Sequence, residues 1–134
     1  METILTKYLG DLRTQAKHIK SGQTIITDAP VDNKGKGEAF SPTDLLAASL
    51  GSCMMTIMGI AARNYSIDLE DSTMKITKIM SSEPRKVSEI IVEFIFPGKD
   101  YSEKEKKILE YAAKTCPVAL SLHQDLKQTI IFPW

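Results

Sequence analysis

Ser41-Pro42-Thr43-Asp44-Leu45-Leu46-Ala47-Ala48-Ser49-Leu50-Gly51-Ser52-Cys53, continuing as Met54-Met55-Thr56-Ile57-Met58-Gly59-Ile60-Ala61-Ala62-Arg63-Asn64, is the stretch that decides the fold. Ser41 suits a helix N-cap and Pro42 the first helical position. Asp44 falls three residues after the cap, where a carboxylate can reach back to the cap N–H and meet the positive end of the dipole. The spacing predicts a helix from Pro42 to about Asn64. Its middle is apolar on almost every face, and a helix apolar all round is buried all round. A chain of 134 residues has few layers with which to surround it. A second subunit is a natural source of the missing cover.

Upstream, residues 3–9 and 12–19 are rich in β-branched and aromatic residues around a Gly10-Asp11 turn, and 23–27 form a third strand after Ser21-Gly22. Residues 28–40, with Pro30, Asn33, Gly35 and Gly37, read as a long loop of the kind that is often functional or mobile. Downstream, 67–80 and 86–96 read as strands separated by Ser81-Ser82-Glu83-Pro84. Ser102 and Glu105 form a second capping box for a surface helix reaching about Lys114. Pro117 opens another helix, expected to end near Asp125, and 127–132 close the chain as a strand. The order βββ-α-ββ-αα-β predicts one α+β domain over 1–134, with a mainly antiparallel sheet around the long central helix.

Composition narrows the function. Lys plus Arg equals Asp plus Glu at 17 each, so no electrostatic footprint for nucleic acid or an anionic membrane is present. Ser49, Gly51, Ser52, Thr56 and Gly59 interrupt the most apolar stretch, which argues against a membrane span. Met1-Glu2-Thr3-Ile4 lacks the basic and apolar runs of a signal peptide, so a cytoplasmic location is expected. Thiols there are normally reduced, and a disulfide is usually transient and functional.

The candidate chemistry sits on Cys53 and Cys116. Cys53 lies about three turns into the central helix beside the small Gly51 and Ser52, which permit close approach of another group. It could equally be a small core hydrophobe. Cys116 stands at a helix start, where free N–H groups and the dipole favour a thiolate, so a depressed pKa is expected. It could equally be a simple capping residue. His18 and His123 fit no zinc spacing with the cysteines, and no P-loop, dinucleotide fingerprint or nucleophile elbow is present. The reading assigns no cofactor and no metal. Met54, Met55 and Met58 read as gap-filling core residues.

The segment from Ser41 to Cys53 resembles the central-helix motif of the OsmC/Ohr family: a Pro, an apolar Ala-rich turn, then Cys. Ala113-Lys114-Thr115-Cys116-Pro117-Val118-Ala119-Leu120-Ser121 resembles the family's second motif, a Cys-Pro-Val helix start. The element order matches over essentially the whole chain. The resemblance implies an intertwined homodimer with each central helix buried between subunits. It implies a thiol peroxidase acting on organic hydroperoxides, with a dithiol such as protein-bound lipoamide as reductant. Carried over, Cys53 is the peroxidatic thiolate and Cys116 the resolving thiol. Arg13, the one arginine of the N-terminal strands, matches the family Arg that stabilises thiolate and peroxide. The family's Glu early in the helix falls on Thr43, which places this chain nearer a diverged OsmC-like branch. A less tightly placed Arg and weakened or redirected peroxidase chemistry are then expected.

Two functions follow as expectations. One is reduction of organic hydroperoxides by a Cys53/Cys116 redox pair in oxidative-stress defence, with no nucleic-acid or membrane partner. The other is a non-catalytic dimeric module binding an apolar small molecule in an interfacial pocket lined by Met54, Met55, Met58 and the apolar face of the helix, with Cys53 a bystander.

Overall fold

The computed structural model describes residues 1–134, and its elements follow the expected order. Strands β1 (Ile4–Gly10), β2 (Arg13–His18) and β3 (Thr24–Asp28) precede helix α1 (Pro42–Tyr65). Then come β4 (Thr73–Ser82), β5 (Arg85–Ile95), α2 (Glu103–Lys114), α3 (Pro117–Ser121) and β6 (Lys127–Ile131). The strands form two three-stranded sheets, β1-β2-β3 and β4-β5-β6, and the chain divides into two compact units, Met1–Leu46 and Ala47–Trp134.

The first unit is an antiparallel meander. Asp11 and Leu12 both have positive φ, at 52° and 60°, and make the two-residue connection between Gly10 and Arg13. That is the geometry a tight hairpin needs to match strand twist. The second hairpin pairs Lys17 with Thr24 and, four residues on, Arg13 with Asp28. Along β1 the side chains from Ile4 to Leu9 are exposed, so this unit has little apolar core of its own.

The 28–40 loop is built rather than slack. The Asp28 amide donates to Phe40 O, Gly35 N to Pro30 O and Gly37 N to Ala29 O. A Cβ on Gly35 would lie 1.8 Å from the Ala29 carbonyl oxygen, so only glycine fits there. The loop runs into the capping box of α1: Ser41 N donates to Asp44 Oδ2 and Asp44 N to Ser41 Oγ, each at 3.0 Å.

In the second unit, α1 buries Ala47, Leu50, Gly51, Met54, Met58 and Ala62. These recur at helical spacing and mark one face. Ile60 and Tyr65 are exposed, so within this chain α1 is covered on one side only. By length and composition α1 could also cross a membrane. Strand β5, rich in β-branched and aromatic residues, buries Val87, Ile90, Val92 and Phe94. It pairs antiparallel with β4 and parallel with β6, reached through α2 and α3. Phe94, Phe96, Phe132 and Trp134 stack with ring centroids 5.1–5.9 Å apart.

Two boundaries differ from the sequence reading. The strand expected over 67–80 begins only at Thr73. Asp68 caps the Glu70 amide, Ser72 Oγ donates to Leu69 O, and Asp71 is left-handed at φ 64°, so local polar bonds hold 68–72 as a turn. Helix α3 ends at Ser121 rather than near Asp125, because Leu122 is extended and His123 Nδ1 accepts from the Asp125 amide.

Candidate active site

Cys53 and Cys116 come from sequence positions 63 residues apart and meet inside the second unit. The start of α3 brings them together. Pro117 takes the first helical position, where its missing N–H is no loss, and the next amides turn toward sulfur. Val118 N lies 3.5 Å from Cys53 Sγ, and Ala119 N lies 3.4 Å from Cys116 Sγ. Each sulfur thus has a backbone donor of the kind that stabilises a thiolate. Both cysteines are free thiols, with Cys53 half-buried and Cys116 fully buried.

The expected depression of the Cys116 pKa is overturned. Burial lifts this thiol above its ordinary value; the Ala119 and Val118 amides oppose the shift and the neighbouring Cys53 adds to it. Desolvation wins because the side chain is wholly enclosed, while α3 is only five residues long. Cys116 is therefore the protonated, enclosed partner, and Cys53 the accessible one.

The space beside Gly51 is filled by strand β4. A Cβ there would sit 2.4 Å from Ile76 Cδ1 and 3.3 Å from Met74 Sδ. Met54 and Met58 are fully buried core residues, as their spacing suggested. An apolar groove of about 750 Å³ lies instead between α1 and α2, lined among others by Ile57, Ile60, Ala61, Tyr65, Ile108 and Tyr111. His18 bonds Ser21 Oγ in its own turn, and His123 sits exposed after α3.

Arg13 belongs to the first unit, and its guanidinium is held on two sides. Nε and Nη2 bind Asp28 Oδ1 and Oδ2 at 2.7 and 2.8 Å, and Nη2 also binds Glu38 Oε1 at 2.9 Å. Asp28, with 1% of its surface exposed, further accepts from the Glu38 amide at 3.1 Å. These bonds hold the Asp28 carboxyl below the usual carboxylate range and push the guanidinium pKa up. The expectation of a loosely placed arginine does not hold. Thr43 Oγ1 bonds Ser41 Oγ within the helix cap, and the acids on Arg13 come from β3 and the loop. Asp28 and Glu38 escaped the sequence reading, although the β2–β3 hairpin register carried the signal for Asp28.

A family model described as OsmC-like protein matches residues 35–130. A crystal structure from Psychrobacter arcticus, provisionally described as an osmotic stress induced and detoxification response protein, is 53% identical, with TM-score 0.94 over 98% of this chain and 96% of that one. An OsmC-like protein from Mycoplasma pneumoniae is 22% identical, with TM-score 0.78 over 96% and 93%. An organic hydroperoxide resistance protein from Legionella pneumophila is 18% identical, with TM-score 0.73 over 98% and 97%, a likeness of fold. No curated protein matches.

Proposed function

The chain belongs to the OsmC-like family, and on that premise we propose that it reduces organic hydroperoxides through Cys53 and Cys116. The observation that carries this reading is the meeting of two free thiols at the start of α3, the more accessible one with a backbone donor on its sulfur. The Cys53 thiolate attacks the terminal oxygen of the hydroperoxide. The O–O bond breaks, the alcohol leaves with a proton, and Cys53 becomes a sulfenic acid. Cys116 then gives up its proton and attacks that sulfur. Water departs, a disulfide forms, and an external dithiol returns two electrons. Burial keeps the Cys116 thiol protonated until this second step, which suits a resolving rather than an attacking role. Arg13 is assigned to stabilise the thiolate and polarise the peroxide, and its Nη1 lies outside the bonds to Asp28 and Glu38.

The working form is a homodimer. Its support is the apolar surface left open on each unit: Leu5, Tyr8 and Leu9 on β1, and Ile60, Tyr65 and Tyr111 along α1 and α2. Apolar patches of this kind mark association surfaces.

One equivalent of cumene hydroperoxide added to the reduced protein should yield a Cys53–Cys116 disulfide by peptide mass spectrometry. Two unmodified thiols would remove the peroxidase reading. The α1–α2 groove supports the second reading, an apolar-ligand module, since its volume falls in the range of small-molecule sites. A Cys53→Ser variant that still binds a lipid-like ligand in that groove would favour it.

A further inference from the structure

We propose that Gln128 is the positioning residue of the resolving thiol: from β6 it fixes helix α3 through the Ala119 carbonyl, and so keeps Cys116 aimed at Cys53. The inference rests on the reading of these two thiols as a redox pair, and every group in it belongs to Ala47–Trp134.

Helix α3 cannot hold itself. It has five residues, Pro117–Ser121, and the chain leaves it extended at Leu122. A single turn fixes several residues for few hydrogen bonds, so it needs support from outside. Ala119 lies too near the helix end for its carbonyl to find a partner within α3. Gln128 Nε2 supplies that partner at 2.9 Å. Ala119 is thereby tied on both sides: its N–H lies 3.4 Å from Cys116 Sγ, and its C=O accepts from Gln128. One residue back, Val118 N lies 3.5 Å from Cys53 Sγ. A displacement of α3 therefore moves the donors of both sulfurs at once. Cys116 moves with them as the N-cap of α3, and the two thiols share a hydrogen bond.

Gln128 occupies a strand position that alternation reserves for an apolar side chain. In the parallel ladder it stands beside Ile90, as Ile130 stands beside Val92. Neighbours across a ladder share a face, and Ile90 and Val92 are fully buried. Gln128 is half-buried on that same face. An amide there is costly unless bonded, and an apolar side chain would stabilise the sheet more. The bond that offsets this cost goes to α3 and nowhere else in the sheet. The next residue, Thr129, turns to the other face and bonds Glu89, which pins β6 to β5. The donor on α3 thus stands on an anchored strand. Resolution forms the Cys53–Cys116 bond as Cys116 loses its proton and the leaving group departs from the Cys53 sulfur. With the sulfurs already in contact this step is intramolecular, and a misplacement of about 1 Å costs up to about a hundredfold in rate.

The test treats the reduced protein with dithiobis-nitrobenzoate, an aromatic disulfide, and follows the coloured thiolate it releases. The Cys53 thiolate attacks one sulfur of the reagent, the reagent's S–S bond breaks, and one nitrothiobenzoate anion leaves. Cys116 then gives its proton to water and attacks the Cys53 sulfur. The second nitrothiobenzoate leaves and the protein disulfide remains. The two phases read attack and resolution separately, because the enclosure of Cys116 directs the reagent to Cys53. Gln128→Met, which keeps the length and loses the donor, should slow the second phase about tenfold and leave the first within about threefold. Gln128→Glu, which at neutral pH presents only acceptors to the Ala119 carbonyl, should slow it at least as much. Gln128→Lys, which restores a donor, should recover most of the lost rate. Ile130→Val, on the same face of β6, is the control for lost packing and should leave the second phase unchanged. An unchanged second phase in Gln128→Met, an equal slowing in Ile130→Val, or release of a single equivalent by the wild-type protein would overturn the proposal. Cumene hydroperoxide consumption is measured in parallel. A Gln128-dependent second phase without hydroperoxide consumption would remove the peroxidase reading and leave the role of Gln128 standing.

Discussion

The two units solve opposite problems with the same physics. In Met1–Leu46 a charge is kept charged: Arg13 and Asp28 are bonded so fully that both hold their ionised forms. In Ala47–Trp134 a thiol is kept neutral: Cys116 is enclosed among apolar side chains, and desolvation outweighs its amide partner. The sheets differ in the same sense. Strand β1 has exposed side chains along most of its length, whereas β5 buries Val87, Ile90, Val92 and Phe94. The buried apolar residues all lie in the second unit, and the enclosed carboxylate Asp28 lies in the first.

The sharpest break of this comparison is Cys53→Ser. It should abolish hydroperoxide consumption while leaving the thermal midpoint within about 2 °C, a small effect by the usual scale for one substitution. In Cys116→Ser, Cys53 should accumulate as a sulfenic acid that dimedone traps. Next comes the apolar side. Phe94→Ala should destabilise the chain by about 3–5 kcal/mol in urea unfolding, because it empties a fully enclosed aromatic site.

The charged side responds to acid instead. Asp28 has a folded pKa below its unfolded value, so its contribution to stability is complete above the unfolded pKa and is lost as pH falls through the folded one. Arg13, Glu38 and Lys36 are the charged groups facing it. Hydrogen-exchange protection at the Asp28 and Glu38 amides should therefore drop below about pH 4, and Asp28→Asn should lack this acid limb. The smallest contrast lies along α1 itself. Gly51→Ala should cost about 1 kcal/mol, since Ile76 must shift against a gain in helix propensity. Gly59→Ala, with nothing within 4 Å of the new Cβ, should gain up to about 1 kcal/mol.

The parts of the molecule that local rules control were legible in the sequence. Ser41 and Asp44, and again Ser102 and Glu105, form the two reciprocal caps their spacing predicts. Pro117 sits where a helix-opening proline should. The meeting of Cys53 with Cys116 came from family resemblance, since nothing in a 63-residue separation encodes contact. The thiol electrostatics were misread because a helix start is visible in sequence and burial is not. The acids on Arg13 were missed for a different reason. Asp28 lies just past the strand expected over 23–27 and reads as loop, yet extending the β2–β3 ladder by one pair puts it opposite Arg13. Glu38 depends on how the loop closes through Gly35 and Gly37, a tertiary matter that no periodicity carries.

The aromatic stack has one more use. Trp134 is the chain's single tryptophan, with Phe132 5.1 Å away, Lys106 Nζ 5.9 Å from its ring, and its indole N–H bonded to Glu110. All these neighbours belong to Ala47–Trp134. Tryptophan fluorescence is thus a built-in reporter of one unit. Set against far-UV circular dichroism, which sees both sheets, it makes the protein its own two-channel instrument for asking whether the charged unit and the apolar unit melt together.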